Sequence, residues 1–78
     1  MPDVDEVIAR HWRIVLGLEH ADPAANFFDM GGDSLAAMEL VERVEEELGA
    51  TIPLEVVFVE GTLEAITTAV RSQQLGPS

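Results

Sequence analysis

The chain has 78 residues, no cysteine and a formal net charge of -11, from 15 acidic residues against four arginines and no lysine. That length holds one small domain, and the missing cysteines exclude disulfides, thiolate metal sites and a cysteine nucleophile. So acidic a surface repels phosphate backbones and anionic lipid, which sets aside nucleic acid and membrane surfaces as partners.

The remaining bounds point the same way. Apolar residues make up 47% of the chain, enough for a packed core. No apolar run reaches the ~20 residues of a membrane span. The acidic N-terminus lacks the apolar stretch of a signal peptide, so a cytoplasmic monomer is expected. The two histidines, His11 and His20, are too few for a metal site and read as surface or boundary residues without a role. Packed helices are the remaining source of stability.

In chain order, Val4, Val7, Ile8, His11, Trp12 and Val15 recur at helical spacing and predict a helix from Val4 to Leu16. Asp3 suits its N-cap, with Glu6 at capping-box distance, and Gly17 its stop. Trp12 reads as core packing. Residues 18 to 33 hold Pro23, Asn26, Asp29, Gly31 and Gly32 and predict a long loop, pinned to the core by Phe27, Phe28 and Met30.

Ser34 to Leu48 is helical again through Leu35, Met38, Leu40, Val41, Val44 and Leu48, with Gly49 just past its end. A short helix, Leu54 to Phe58, follows Pro53, with a strand left open by the β-branched Val56, Val57 and Val59. Gly61 breaks the chain, and Thr62 caps a last helix to about Gln73, with Leu63, Ile66, Ala69 and Val70 inward. The fold class is all-α: a small four-helix bundle forming one domain over residues 1–78, with a core of about 3–73 and a tail at 74–78.

The stretch Phe27-Phe28-Asp29-Met30-Gly31-Gly32-Asp33-Ser34-Leu35 carries the chemistry. It sets one hydroxyl, Ser34, behind two glycines and an aspartate at a helix start. Helix capping by Asp33 or Ser34 explains the last two residues but neither the glycines nor the aromatic pair. Gly32-Asp33-Ser34-Leu35 also spells the tetrapeptide of the GDSL esterases. Acyl transfer needs a histidine base beside the serine; both histidines lie upstream, and the chain is too short for that scaffold. A Walker A loop lacks its Gly-Lys-Ser/Thr, and an EF-hand from Asp29 would put Ser34 where glycine belongs and Leu40 where glutamate belongs. Covalent attachment accounts for the whole stretch. Two glycines allow a tight turn and an open serine, and a helix N-terminus favours an anion such as a phosphodiester.

This segment resembles the phosphopantetheine attachment motif of acyl and peptidyl carrier proteins, in which Asp-Ser-Leu opens the second helix. Trp12-Arg13-Ile14-Val15-Leu16-Gly17-Leu18, Ile52-Pro53-Leu54 with Phe58, and Gly61-Thr62-Leu63 are similar to further carrier-domain segments, so the resemblance spans nearly the whole chain. It departs at Glu60, where many synthase domains have histidine and proline, and at Asp33, where many peptidyl carriers have histidine.

The resemblance implies a 4'-phosphopantetheine arm on Ser34, flanked by Gly32, Asp33 and Leu35. A Mg²⁺-dependent phosphopantetheinyl transferase would install it from coenzyme A. The arm would hold acyl, aminoacyl or polyketide groups as thioesters for fatty-acid, polyketide or nonribosomal peptide synthesis, and the chain itself would catalyse nothing. Partners would then be a loading enzyme (adenylation or acyltransferase) and condensing and tailoring enzymes.

The second helix adds Glu39, Glu42, Glu45, Glu46 and Glu47 around one arginine, Arg43. The last three sit where the helix dipole disfavours negative charge. A solvated face explains them; so does a docking surface for basic partner patches, which sets encounter rate more than affinity. The resemblance favours docking by Leu35, Met38, Glu39, Glu42, Glu45 and Glu46, with Leu35 and Met38 equally able to serve as core. Met1 and the acidic surface lean toward a free-standing protein. The competing reading is an acidic helical interaction module without modification.

Overall fold

The computed structural model describes residues 3–74. Three α-helices, α1 (Val4–Leu16), α2 (Ser34–Leu48) and α3 (Leu63–Gln74), and a π-helical turn (Val56–Glu60) form the bundle. No strand occurs among the described residues; Asn26 and Thr62 form one isolated antiparallel bridge. Residues 75–78 of the expected tail lie outside the described residues, and Gln74 closes α3.

α1 and α2 keep the predicted bounds because both carry an N-cap, an apolar stripe and a terminal glycine. The Asp3 side chain accepts from the Asp5 N–H at 3.1 Å. Glu6 does not close the expected capping box; its carboxylate faces Arg13 at 3.9 Å, about two helical turns further on. At α3, the Thr62 hydroxyl accepts from the Ala65 N–H at 3.2 Å.

The third segment is helical, which settles the strand alternative. Leu54 and Glu55 are helical, and the turn runs on to Glu60, beyond the expected Phe58. It widens because the Gly61 N–H reaches the Val56 carbonyl, five residues back, at 2.9 Å.

The long loop has its polar backbone satisfied by the start of α3. Phe27 N–H donates to the Gly61 carbonyl at 2.7 Å, Leu63 N–H to Ala25 at 3.3 Å and Glu64 N–H to Pro23 at 2.9 Å. Phe27 is fully buried and Phe28 partly so, but Met30 stands 40% exposed rather than anchored. Its N–H closes a turn onto the Asn26 carbonyl at 3.0 Å, which leaves its side chain outside.

The core joins Ile8 and Trp12 of α1, Phe27 of the loop, Leu40, Val41 and Val44 of α2, Val57 of the π turn, and Leu63, Ile66 and Val70 of α3. An edge-to-face pair of Trp12 and Phe27, with centroids 5.4 Å apart, ties the loop to α1.

Three contacts gather one pole of the bundle. Arg71 near the end of α3 reaches Asp5 at the start of α1, 3.5 Å away. The Gln73 side-chain amide accepts from the Thr51 N–H through Oε1 and donates through Nε2 to the Thr51 carbonyl, just past α2. Arg10 of α1 pairs with Glu47 at the end of α2. The start of α2, with Ser34, therefore lies at the opposite pole.

Candidate functional site

Ser34 is the first residue of α2 and is exposed. Asp33 sets the helix start: its backbone is extended and its Oδ1 accepts from the Ala36 N–H at 2.8 Å. The N–H groups of Ser34 and Leu35 belong to the first turn, which has no intrahelical acceptors, so they point free positive dipole toward the serine side of the helix.

The two glycines do different jobs. Gly31 has φ 101°, a left-handed value that reverses the chain and suits glycine. Gly32 is fixed by contact instead. A Cβ there would stand 2.2 Å from Cε2 of the Phe27 ring, so only a bare α-carbon fits against it. Its N–H donates to the Phe27 carbonyl at 3.1 Å. The buried aromatic thus holds the backbone two residues before the serine.

No hydrogen bond joins the Ser34 hydroxyl to another side chain among the described residues. His11 is buried, not the surface or boundary residue expected. It is 7% exposed at the far pole, with Nε2 2.8 Å from Glu47 Oε1. Helical spacing put it on the inner stripe of α1; its partner lies 36 residues away and leaves no local signature.

Along α2, Leu35, Met38, Glu39, Glu42 and Glu46 form one exposed stripe from the serine downward. Leu35 is 82% exposed and Met38 38% exposed, so the stripe opens on apolar side chains and continues acidic. Glu39 pairs loosely with Arg43 at 3.5 Å.

Glu45 lies off the stripe, half-buried, and accepts the Ile52 N–H at 2.7 Å. Glu47 takes Arg10 at 2.5 Å and His11 at 2.8 Å. The guanidinium, and then the imidazole, hold its carboxyl below the usual range. Two of the three terminal glutamates therefore have partners that offset the unfavourable dipole.

The sequence did not show that Phe58 and Val59 are exposed, or that Asn26 bonds to Glu60 across the fold. Phe58 is 42% exposed and stacks on Phe28 with centroids 5.7 Å apart; Val59 is 76% exposed. Their signal was density: so many apolar residues on one short turn cannot all face inward.

Residues 6–70 match the family described as phosphopantetheine attachment site. The chain belongs to that family. The chain is 37% identical over 71 residues to phosphinothricin tripeptide synthetase PhsC of Streptomyces viridochromogenes, spanning 91% of this chain and 6% of that protein. Among solved structures, it is similar to one of the phosphopantetheine transferase Sfp in complex with coenzyme A and a peptidyl carrier protein. There the TM-score is 0.83 at 32% identity, covering 92% of this chain and 94% of the matched one. BlmI, a type-II acyl-carrier-protein from Streptomyces verticillus involved in bleomycin biosynthesis, gives 0.82 at 28% identity, covering 91% and 86%.

The chain is thus a carrier domain, and its cofactor is a covalently attached phosphopantetheine. The geometry fits that group: the carrier domain offers an exposed hydroxyl, free first-turn N–H donors for a phosphodiester and a backbone held against Phe27. Among the described residues no helix is long and apolar enough to cross a membrane.

Proposed function

We propose that residues 3–74 act as one carrier unit whose phosphopantetheine is attached at Ser34, with Gly32, Asp33 and Leu35 shaping the site. The observation that carries this is an exposed serine hydroxyl opening α2 behind a backbone that Phe27 locks in place. The unit has no catalytic role of its own. A transferase supplies the base: the hydroxyl oxygen forms the new phosphoester bond, its proton passes to that base, and the pyrophosphate bond of coenzyme A breaks to release adenosine 3',5'-bisphosphate. Once attached, the arm's thiol carries cargo as a thioester.

Aminoacyl or peptidyl cargo is favoured, because peptide synthetases recur among the relatives. The exposed stripe of Leu35, Met38, Glu39, Glu42 and Glu46 serves as the docking face for transferase, loading and condensing partners with basic patches. Glu45, bonded to Ile52, contributes to helix geometry more than to docking. Family membership disfavours the reading as an unmodified acidic module.

The test is intact mass after incubation with coenzyme A, Mg²⁺ and a promiscuous phosphopantetheinyl transferase. One phosphopantetheine is expected on the wild type and none on Ser34→Ala. An unmodified wild type, or a modified Ser34→Ala, overturns the assignment.

A further inference from the structure

Asn26 sits eight residues before the serine in sequence, yet it joins three parts of the molecule. Its Oδ1 accepts from the Phe28 N–H at 2.9 Å and the Asp29 N–H at 3.3 Å, which folds the loop locally. Its Nδ2 donates to the Glu60 carbonyl at 3.1 Å, the last residue of the π turn. Its backbone bridges Thr62 at the head of α3.

Gly61 is shaped to receive it. A Cβ on Gly61 would stand 2.6 Å from Nδ2, and φ is 68°, so a side chain is excluded twice. Phe28, held by Asn26, stacks on Phe58 of the same π turn. The loop is therefore registered against the third helical segment on one side, while on the other Phe27 presses on Gly32 two residues before Ser34.

We infer that Asn26 is a positioning residue for modification of Ser34, acting through its amide N–H on the Glu60 carbonyl to hold the serine-bearing loop in the form a transferase engages. The inference rests on Ser34 as the attachment point. Losing the tie leaves the hydroxyl and the transferase chemistry intact but lowers the population of the competent loop. That raises KM and spares kcat; a competent population of about one tenth raises KM about tenfold.

The deciding variant is Asn26→Asp. It keeps an oxygen for the Phe28 and Asp29 N–H groups but has no N–H for the Glu60 carbonyl. Kinetics of phosphopantetheine transfer, read by intact mass at a temperature where circular dichroism shows the variant folded, should give KM for the carrier raised about tenfold with kcat within about twofold. Gly61→Ala, which pushes a methyl at Nδ2 from the other side, should split the same way. A folded Asn26→Asp with wild-type KM overturns the inference, since a purely structural asparagine lowers the melting temperature without moving KM. Failure of the wild type to load overturns the Ser34 assignment and this inference with it. Amide exchange on the unmodified wild type adds a readout independent of loading and of any variant's folding: Phe27, whose N–H donates to the Gly61 carbonyl, should exchange as slowly as Phe28 and Asp29, and free exchange of Phe27 overturns a loop held against the third helical segment.

Discussion

At the residue scale, Gly32 and Leu35 make opposite demands on either side of the serine. Gly32 has its room taken by the Phe27 ring, so Gly32→Ala must displace a fully buried aromatic. Overpacking of that kind costs roughly 1–3 kcal/mol, which urea unfolding will show as a lower midpoint. Leu35 is 82% exposed. Leu35→Ala should change stability by less than about 0.5 kcal/mol while slowing phosphopantetheine transfer. Thermal melts and transfer kinetics on the same sample check this; a large stability loss would return Leu35 to the core. The sequence left Leu35 open between core and docking, because its position at the first turn belongs to both stripes. The role of Gly32 was legible only as freedom to turn, since the close approach of a ring five residues earlier is a tertiary fact.

At the element scale, the end of α2 is a clip as much as a charged surface. Arg10 and His11 of α1 grip Glu47, and hydrogen bonding to the guanidinium is the main reason that its carboxyl titrates below the usual range. The folded pKa lies below the unfolded one. The contribution is therefore complete above the unfolded carboxylate range and is lost as pH falls through the folded value. Glu47→Gln should melt below the wild type at neutral pH, and the gap should close on acidification, measured by parallel melts. Among the described residues Glu42 and Glu46 have no such partners. Reversing both to lysine should slow partner-catalysed loading, most at low salt, with little change in melting; salt-independent rates would reject docking through them. The helices were legible because apolar spacing, caps and end glycines agree over a dozen residues or more. The π turn was not, because five residues hold too little periodicity to separate helix from strand, and Glu60 and Asn26 meet only after α3 folds back.

At the scale of the whole molecule, α1 starts and both α2 and α3 end at one pole, with Ser34 at the other. A folded domain fused next to Asp3 or Gln74 should therefore leave the rate of phosphopantetheine transfer within about twofold, whereas an insertion in the 18–33 loop should abolish it, by the same mass assay. The bundle and its single site were readable from the chain because the pattern of helices and the glycine-serine stretch agree; the polarity was not, since it depends on side chains such as Asp5 and Arg71 meeting across the fold. That polarity has a mechanical result. α2 has 15 residues, which at about 1.5 Å each makes a rigid spoke of roughly 22 Å between the two poles. If the domain is anchored by its first and last turns, pivoting there carries the serine along an arc up to roughly 45 Å across, twice that spoke. The protein body then acts as the crank that swings Ser34 from one end of that arc to the other.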